Sequence, residues 1–457
     1  MPQQLRGIGL SRTEQDPLGS ISVPYDALYG AQTERAVRNF PISGVSIGQL
    51  PELICALALI KKAAARVNAQ LGDLPKEKAD LISRVCDEIF AGQHRQHFPV
   101  DVFQGGAGTS TNMNINEVIA NRGLELMGRH CGEYSFLHPN NDVNRLQSTR
   151  DVYPTAVRVA LMNAVPHLVQ AMGALASAFE EKGIAFSDIK KMGPTELQDA
   201  VAMTLGAEMR AYGVTLREDM QRLDATAGLL SEVNLGGTAI GTGVTASEQY
   251  RRELLRELRD LSGLPLRSAP DLMEASWDAG VFVHLSGVLK RVATKLSKIA
   301  NDLRLLSSGP RGGFGEIRLP AMQPGSSIMP GKIDPVIVEM VNQVAFQVIG
   351  TDVTISFAAE SGQLQINAFD PLIAYGLLQS VELLRNATLI LRTRCVEGIE
   401  ANEDRCRSGL EASTANLSEM VPEIGSNRAS ELAHDMLDTG KPSPDVLASL
   451  DDDESNS

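Results

Sequence analysis

The feature that most constrains this chain is a set of unusually long apolar-periodic stretches, at 154–182, 196–230, 279–307, 335–362 and 371–395. In each, apolar residues recur at helical spacing, and several run to about 28 residues, roughly 40 Å at 1.5 Å per residue. Strand signals are nearly absent in this region. Long helices without a cap every dozen residues predict a helix bundle and an all-α fold. Some stretches are apolar on more than one face. VIVEMVNQVAFQVIG, for example, needs more than one packing partner, which predicts that these helices pack against copies of themselves in an oligomer. Aromatic residues make up only 4% of the chain, with a single tryptophan, Trp277. Alanine, leucine and valine must therefore fill the core, and that favours helix packing over a β-sandwich.

At 457 residues the chain exceeds what one hydrophobic core supports. Three regions are expected: 1–145, of mixed loops and helices; 146–400, holding the long helices; and 401–457, a small C-terminal domain broken at MVPEIG and PSPDV. Residues 1–50, rich in Gly and Pro with short β-like pieces, read as an irregular surface-wrapping segment. Pro51-Glu52 opens a helix that ends near Gly72. The tail Asp451-Asp452-Asp453-Glu454 reads as a disordered, solubilising end. A net charge of −14 argues against nucleic acid or an anionic membrane as partner, but not against a small anionic substrate. No apolar run reaches about 18 residues, so no membrane span is expected. The N-terminus has no apolar signal-like region. Five cysteines, an odd number without metal-ligand spacing, fit free thiols in the cytoplasm, with no metal and no cofactor. His94 and His97, in HRQH before Phe98-Pro99, read as a surface turn rather than a ligand pair.

The segment 309–335, GPRGGFGEIRLPAMQPGSSIMPGKIDP, lies between two helical patterns and holds six Gly and five Pro. It must be a loop with special backbone angles. Ser326 and Ser327 follow Gly325 on a hinge-like stretch, with Lys332 close behind. A mobile serine beside a cation suits chemistry on a carboxylate: the loop closes, water leaves, and the lysine pairs with the anion.

This loop resembles the signature of the aspartase/fumarase superfamily, GSSxMPxKxNP. Further segments resemble that family in the same order: QGGAGTSTNMNINEV at 104–118, HPNNDVN at 138–144, QSTRDVYPT at 147–155, MGPTELQDAV at 192–201 and NLGGTAIGTGV at 234–244. KRVATKLSKIANDLRLLSSGPRGG and AAESGQLQINAFDP are most similar to aspartate ammonia-lyases. The resemblance covers about residues 10–400, and more loosely to about 445. It implies a three-domain fold whose long central bundle forms the twenty-helix core of a homotetramer, with each active site shared by three subunits. It also implies a carbon–nitrogen lyase acting on aspartate or a modified or N-substituted aspartate, a small dicarboxylate-like molecule. A base removes the proton beside a carboxylate, an aci-carboxylate forms, and ammonia or an amine departs to leave a fumarate-like product. The alternatives are a fumarase-like hydratase and an inactive structural or regulatory member.

Carried over by position, the resemblance makes Ser326 the base and, with Lys332 and Glu196, the catalytic candidates. Ser327 and Lys332 bind carboxylate oxygens. Thr109, Ser110, Thr111 and Asn112 hold the substrate, Ser148 and Thr149 match a carboxylate-binding pair, Thr195 matches another hydroxyl contact, and Glu339 matches a supporting carboxylate. HPNNDVN reads as a turn rather than a second anion site. Three pocket positions depart from the family: Arg150 stands where it has Asn, Glu196 where fumarases have His and aspartases Gln or His, and Asp334 where it has Asn. Pro194 also replaces a usual Arg. Asp334 is expected to repel a substrate carboxylate, and the altered charges are expected to turn the pocket from plain L-aspartate or malate, or to neutralise one another in internal salt bridges.

Overall fold

The computed structural model describes residues 10–443, 445 and 446; the acidic tail at 451–454 lies outside the described residues. The segment expected to be irregular is ordered. Ser11–Asp16 (β1) and Gly19–Pro24 (β2) pair as an antiparallel hairpin, and Ala31–Asn39 is a helix, α1. Nor does it only wrap the surface, since Val23 and residues 27–31 are buried. Two acids far apart in sequence hold it there. Glu117 accepts the backbone N–H groups of Gly30, Gln32 and Thr33 at 2.8, 2.9 and 3.1 Å, and Glu14 accepts that of Ala31 at 3.0 Å. These are N–H groups that a helix start leaves without intrahelical partners.

Pro51–Leu71 (α2) begins with proline and ends at Gly72 in the left-handed region, φ 83°, as its sequence predicts. Lys76–Phe90 (α3) and Thr109–Leu126 (α4) follow. HRQH forms the expected turn: His94 has φ 67° and a short 3-10 helix follows. The long helices are Thr149–Ala185 (α5), Leu205–Leu229 (α6), Gly280–Leu306 (α8), Val336–Glu360 (α9) and Asp370–Arg394 (α10), with Glu248–Ser262 (α7) between α6 and α8. One expected helix starts late. Residues 196–204 belong to an antiparallel hairpin of Lys190–Thr195 (β3) and Gln198–Thr204 (β4). Its turn residues Glu196 and Leu197 have φ 53° and 62°. Such paired positive angles normally call for Asn or Gly, which is why no turn signal marks this hairpin. At the C-terminal end, Glu403–Ala412 (α11) is followed by Ala415–Ile424 (α12) and Ser426–Thr439 (α13), which with Val446 form a small core of Leu417, Leu432, Met436 and Val446.

The chain divides into two compact units. The first comprises Met1–His167, Arg222–Leu289 and Ile349–Glu382; the second comprises Leu168–Gln221, Lys290–Val348 and Leu383–Ser457. In the first unit the Arg158 guanidinium of α5 lies 5.0 Å from the ring centroid of Phe282 on α8. Ser286 of α8 donates a buried hydrogen bond to Asp352 of α9 at 2.7 Å. In the second unit the rings of Phe179 (α5) and Tyr212 (α6) meet edge to face at 5.4 Å, and the Tyr212 hydroxyl donates to Asp302 of α8 at 2.9 Å. Asn342 of α9 donates to the Ser297 hydroxyl of α8 at 2.9 Å. Lys191 of β3 is fully buried between Glu208 and Glu316, at 2.9 and 2.5 Å. Burial pulls its ammonium down, but the two carboxylates outweigh that and hold it above its ordinary value.

By length and composition alone, α5 and α9 are apolar enough to cross a membrane. Most of the apolar stretch of α5 is already buried within the chain.

Candidate active site

In the first unit the candidates converge on two helix N-termini. Gly106, Ala107 and Gly108 lead into α4 with φ 85°, 49° and 85°. At Gly108 a Cβ would also stand 2.5 Å from the ring of Tyr153, so both backbone angle and space call for glycine. This turn presents Thr109 exposed and Ser110 half-buried at the start of α4, with the Thr109 hydroxyl donating to the Gly106 carbonyl at 2.8 Å. Thr111 and Asn112 point inward. Thr111 donates from N–H and hydroxyl to Gln104 Oε1, at 3.1 and 2.8 Å. Asn112 Nδ2 donates to Asn144 Oδ1 and Thr149 Oγ1, both at 3.1 Å. The second bond ties α4 to the start of α5.

At that start Ser148 and Asp151 cap the helix. The Ser148 N–H donates to Asp151 Oδ1 at 3.0 Å, and the Arg150 N–H to Ser148 Oγ at 3.3 Å. Hydroxyls gathered at two neighbouring positive helix ends suit a carboxylate. Arg150 lies half-buried on the first turn, its Nη1 3.5 Å from the Gly106 carbonyl. Burial pulls its guanidinium below the ordinary value, against the opposing pull of Asp370.

Several residues in this cluster were not among the sequence candidates. Asp151 is buried and also accepts the N–H groups of Gly236 and Thr238, at 2.9 and 3.0 Å, which clamps the NLGGT segment onto α5. Burial pushes its carboxyl up to about 6 despite these bonds. Asn234 Nδ2 donates to the Arg150 carbonyl at 3.0 Å. Lys61, fully buried on α2, donates to Asn144 Oδ1 and Gln147 Oε1 at 2.8 and 2.9 Å, and burial brings its ammonium down to about 7. Burial raises the Asp370 carboxyl to about 7, against the pull of Arg158 and Arg150. Two signals were readable: the Ser-x-x-Asp spacing of a cap in STRD, and a lysine within the apolar run LICALALIKK. HPNNDVN forms a turn of π-helix over Pro139–Val143, with His138 accepting the N–H groups of Asn140 and Asn141, and its last residue, Asn144, joins Lys61 to Asn112.

The second unit holds the remaining candidates. Thr195 and Glu196 are exposed at the tip of the β3–β4 hairpin. The serine loop is drawn together at its neck, where the Gly325 N–H donates to the Lys332 carbonyl at 2.8 Å. Within the loop the Ser326 hydroxyl accepts the N–H groups of Ile328 and Met329 at 3.2 and 3.1 Å. Ser327 and Lys332 are exposed, and Glu339 is half-buried on the first turn of α9. Lys332 Nζ lies 2.9 Å from Asp334 Oδ1 and 3.2 Å from Oδ2. One of the anticipated internal salt bridges thus forms within the loop, while Arg150 has Asp370 as its electrostatic neighbour. Among the described residues no group of three His, Cys, Asp or Glu side chains is placed to hold a metal ion.

A family model described as a lyase matches residues 19–350. An aspartate ammonia-lyase of Pseudomonas aeruginosa is 53% identical over 435 residues, covering 95% of this chain and 92% of that protein. One of Escherichia coli strain K12 is 48% identical over 437 residues, covering 95% and 91%. Among solved structures, a fumarate lyase:delta crystallin from Brucella melitensis bound to cobalt superposes with a TM-score of 0.94 at 55% identity, covering 96% of each chain. A class II fumarase from Schistosoma mansoni superposes with a TM-score of 0.92 at 33% identity, covering 97% and 96%.

Proposed function

Since the chain belongs to the aspartase/fumarase superfamily of lyases, we propose that it removes ammonia from L-aspartate to give fumarate. The observation that carries this reading is the identity of about half the residues, over nearly the whole chain, with aspartate ammonia-lyases. The likeness to a fumarase is lower, at 33%, and Glu196 stands where fumarases carry His. In this reading Ser326 takes the proton from the carbon beside one carboxylate. Two backbone N–H groups already face its oxygen, and they stabilise the negative charge a serine base must carry. The N-terminal hydroxyls and N–H groups of α4 and α5 hold the substrate carboxylate while charge builds on it. The C–N electron pair then leaves with nitrogen, the C=C bond forms, and the proton departs with ammonia as ammonium. The like-charge penalty expected at Asp334 is reduced, because Lys332 lies 2.9 Å from it, and plain L-aspartate becomes an acceptable substrate.

The test is direct. Incubation with L-aspartate should raise absorbance near 240 nm and release ammonia in equal amount, at on the order of 10 turnovers per second. Neither product would overturn the reading and favour an inactive family member. Fumarate formed from malate but not from aspartate would favour the hydratase.

The assembly in this reading is a homotetramer with each site shared by three subunits. Supporting it, Phe346, Val353 and Phe357 share one face of α9 and are 62%, 53% and 69% exposed in the single chain, a row that solvent does not favour. Light scattering should give about four times 49.1 kDa; a mass of one subunit at micromolar concentration would refute it. The subunit reads as three domains, 1–145, 146–400 and 401–457. Its five free thiols suit the cytoplasm.

A further inference from the structure

Asp334 is the most unusual residue of the serine loop, and its surroundings are well defined. Its carboxylate faces Lys332 at 2.9 and 3.2 Å across one intervening residue. Gly325 lies directly against it. A Cβ at Gly325 would stand 2.7 Å from the Asp334 backbone nitrogen and 2.9 Å from its carboxylate, so the glycine lets the loop backbone close onto the acid. The Gly325–Lys332 backbone bond at 2.8 Å shuts the same neck. The two partners differ in freedom: the Lys332 side chain is 47% exposed and that of Asp334 28%. A seated acid and a freer cation thus stand side by side, on the loop that carries Ser326.

An α-amino acid head carries the same two charges, ammonium and carboxylate, on one carbon. It can exchange with such a pair: Lys332 turns to the substrate carboxylate, and Asp334 accepts the substrate ammonium. One internal ion pair is replaced by two intermolecular ones, with contacts in the range of charge-assisted hydrogen bonds. A carboxylate without an adjacent ammonium gains only one contact, separates Lys332 from Asp334, and meets the negative charge left behind. Resting on the proposed aspartate chemistry, we propose that Asp334 is a specificity-determining residue that, paired with Lys332, selects an α-amino acid head over a plain carboxylate.

The full-length chain tests this in equilibrium binding. Ser326→Ala supplies a background in which L-aspartate is not consumed. Calorimetric titration with L-aspartate and with succinate, which lacks the ammonium, gives the preference between them. Asp334→Asn keeps the shape against Gly325 and removes the charge. It is expected to reduce the preference for L-aspartate by at least about tenfold, through weaker aspartate binding and tighter succinate binding. Asp334→Ser is expected to change it in the same direction, which guards against a folding failure peculiar to one variant. A preference changed by less than about twofold would overturn the proposal, as would equal tightening of both ligands, the signature of an acid that only blocks Lys332. Binding of neither ligand with Asp334 in place would also overturn it. Fumarate release by the unmodified chain is a separate readout: its absence sinks the proposed activity, while an unchanged preference beside normal release sinks only the role of Asp334.

Discussion

Ser326→Ala should reduce fumarate release from L-aspartate by at least about a thousandfold, ~4 kcal/mol of barrier, with the fold and assembly unchanged. The proton to be removed lies beside a carboxylate and is barely acidic, so the reaction depends on a base held where it can reach that proton. Ser326 is the base this reading assigns. Its hydroxyl accepts two N–H groups of its own loop, from Ile328 and Met329, and the neighbouring Ser327 is exposed. Losing the hydroxyl frees two N–H groups on an exposed loop, where water replaces it at little cost in stability. The variant should therefore match the unmodified chain in circular dichroism and light scattering. A loss of less than about tenfold, ~1.4 kcal/mol, would mean that another group is the base.

The second large effect is structural. Asp151→Ala should loosen the first turn of α5 and the loop that follows α6. The Asp151 carboxylate accepts three backbone N–H groups, from Ser148, Gly236 and Thr238, and it is buried. Alanine removes a costly buried carboxyl, which burial has already pushed up to about 6, but leaves three donors without acceptors. At roughly 1–3 kcal/mol each the donors outweigh the relief, and the net loss should be about 3 kcal/mol. Hydrogen exchange of a peptide spanning 234–244 should then quicken by about a hundredfold. Unchanged exchange would show that the NLGGT segment is held by something other than Asp151. Because Ser148, Thr149 and Arg150 ride on the same turn, the KM for L-aspartate should rise in parallel.

Much of the architecture was readable along the chain. The stretches at 279–307, 335–362 and 371–395 match Gly280–Leu306, Val336–Glu360 and Asp370–Arg394 within a few residues, since a period of 3.6 sustained over seven turns is a local signal that packing does not overturn. The irregular loop before α9 was equally plain from its glycines and prolines. The β3–β4 hairpin was hidden because Glu196 and Leu197 occupy positive φ without the usual turn residues, and Ala-Val-Ala-Met carries no preference strong enough to oppose a helical reading.

The candidate site divides along the same line. Sequence motifs alone singled out Ser326, Lys332 and the hydroxyls opening α4 and α5 as candidates. What surrounds them depends on residues brought close only by folding. Lys61 meets Asn144 across 83 positions, Asp151 meets Gly236 across 85, and Arg150 shares its surroundings with Asp370. Asp334 makes the distinction sharpest. Read along the chain it is a bare negative charge where a substrate carboxylate should bind; in the folded loop it lies against Gly325 and is paired with Lys332. A helix follows from the order of its own residues, but the effect of a charge is set by the groups within a few ångströms of it, and those are chosen by the tertiary structure.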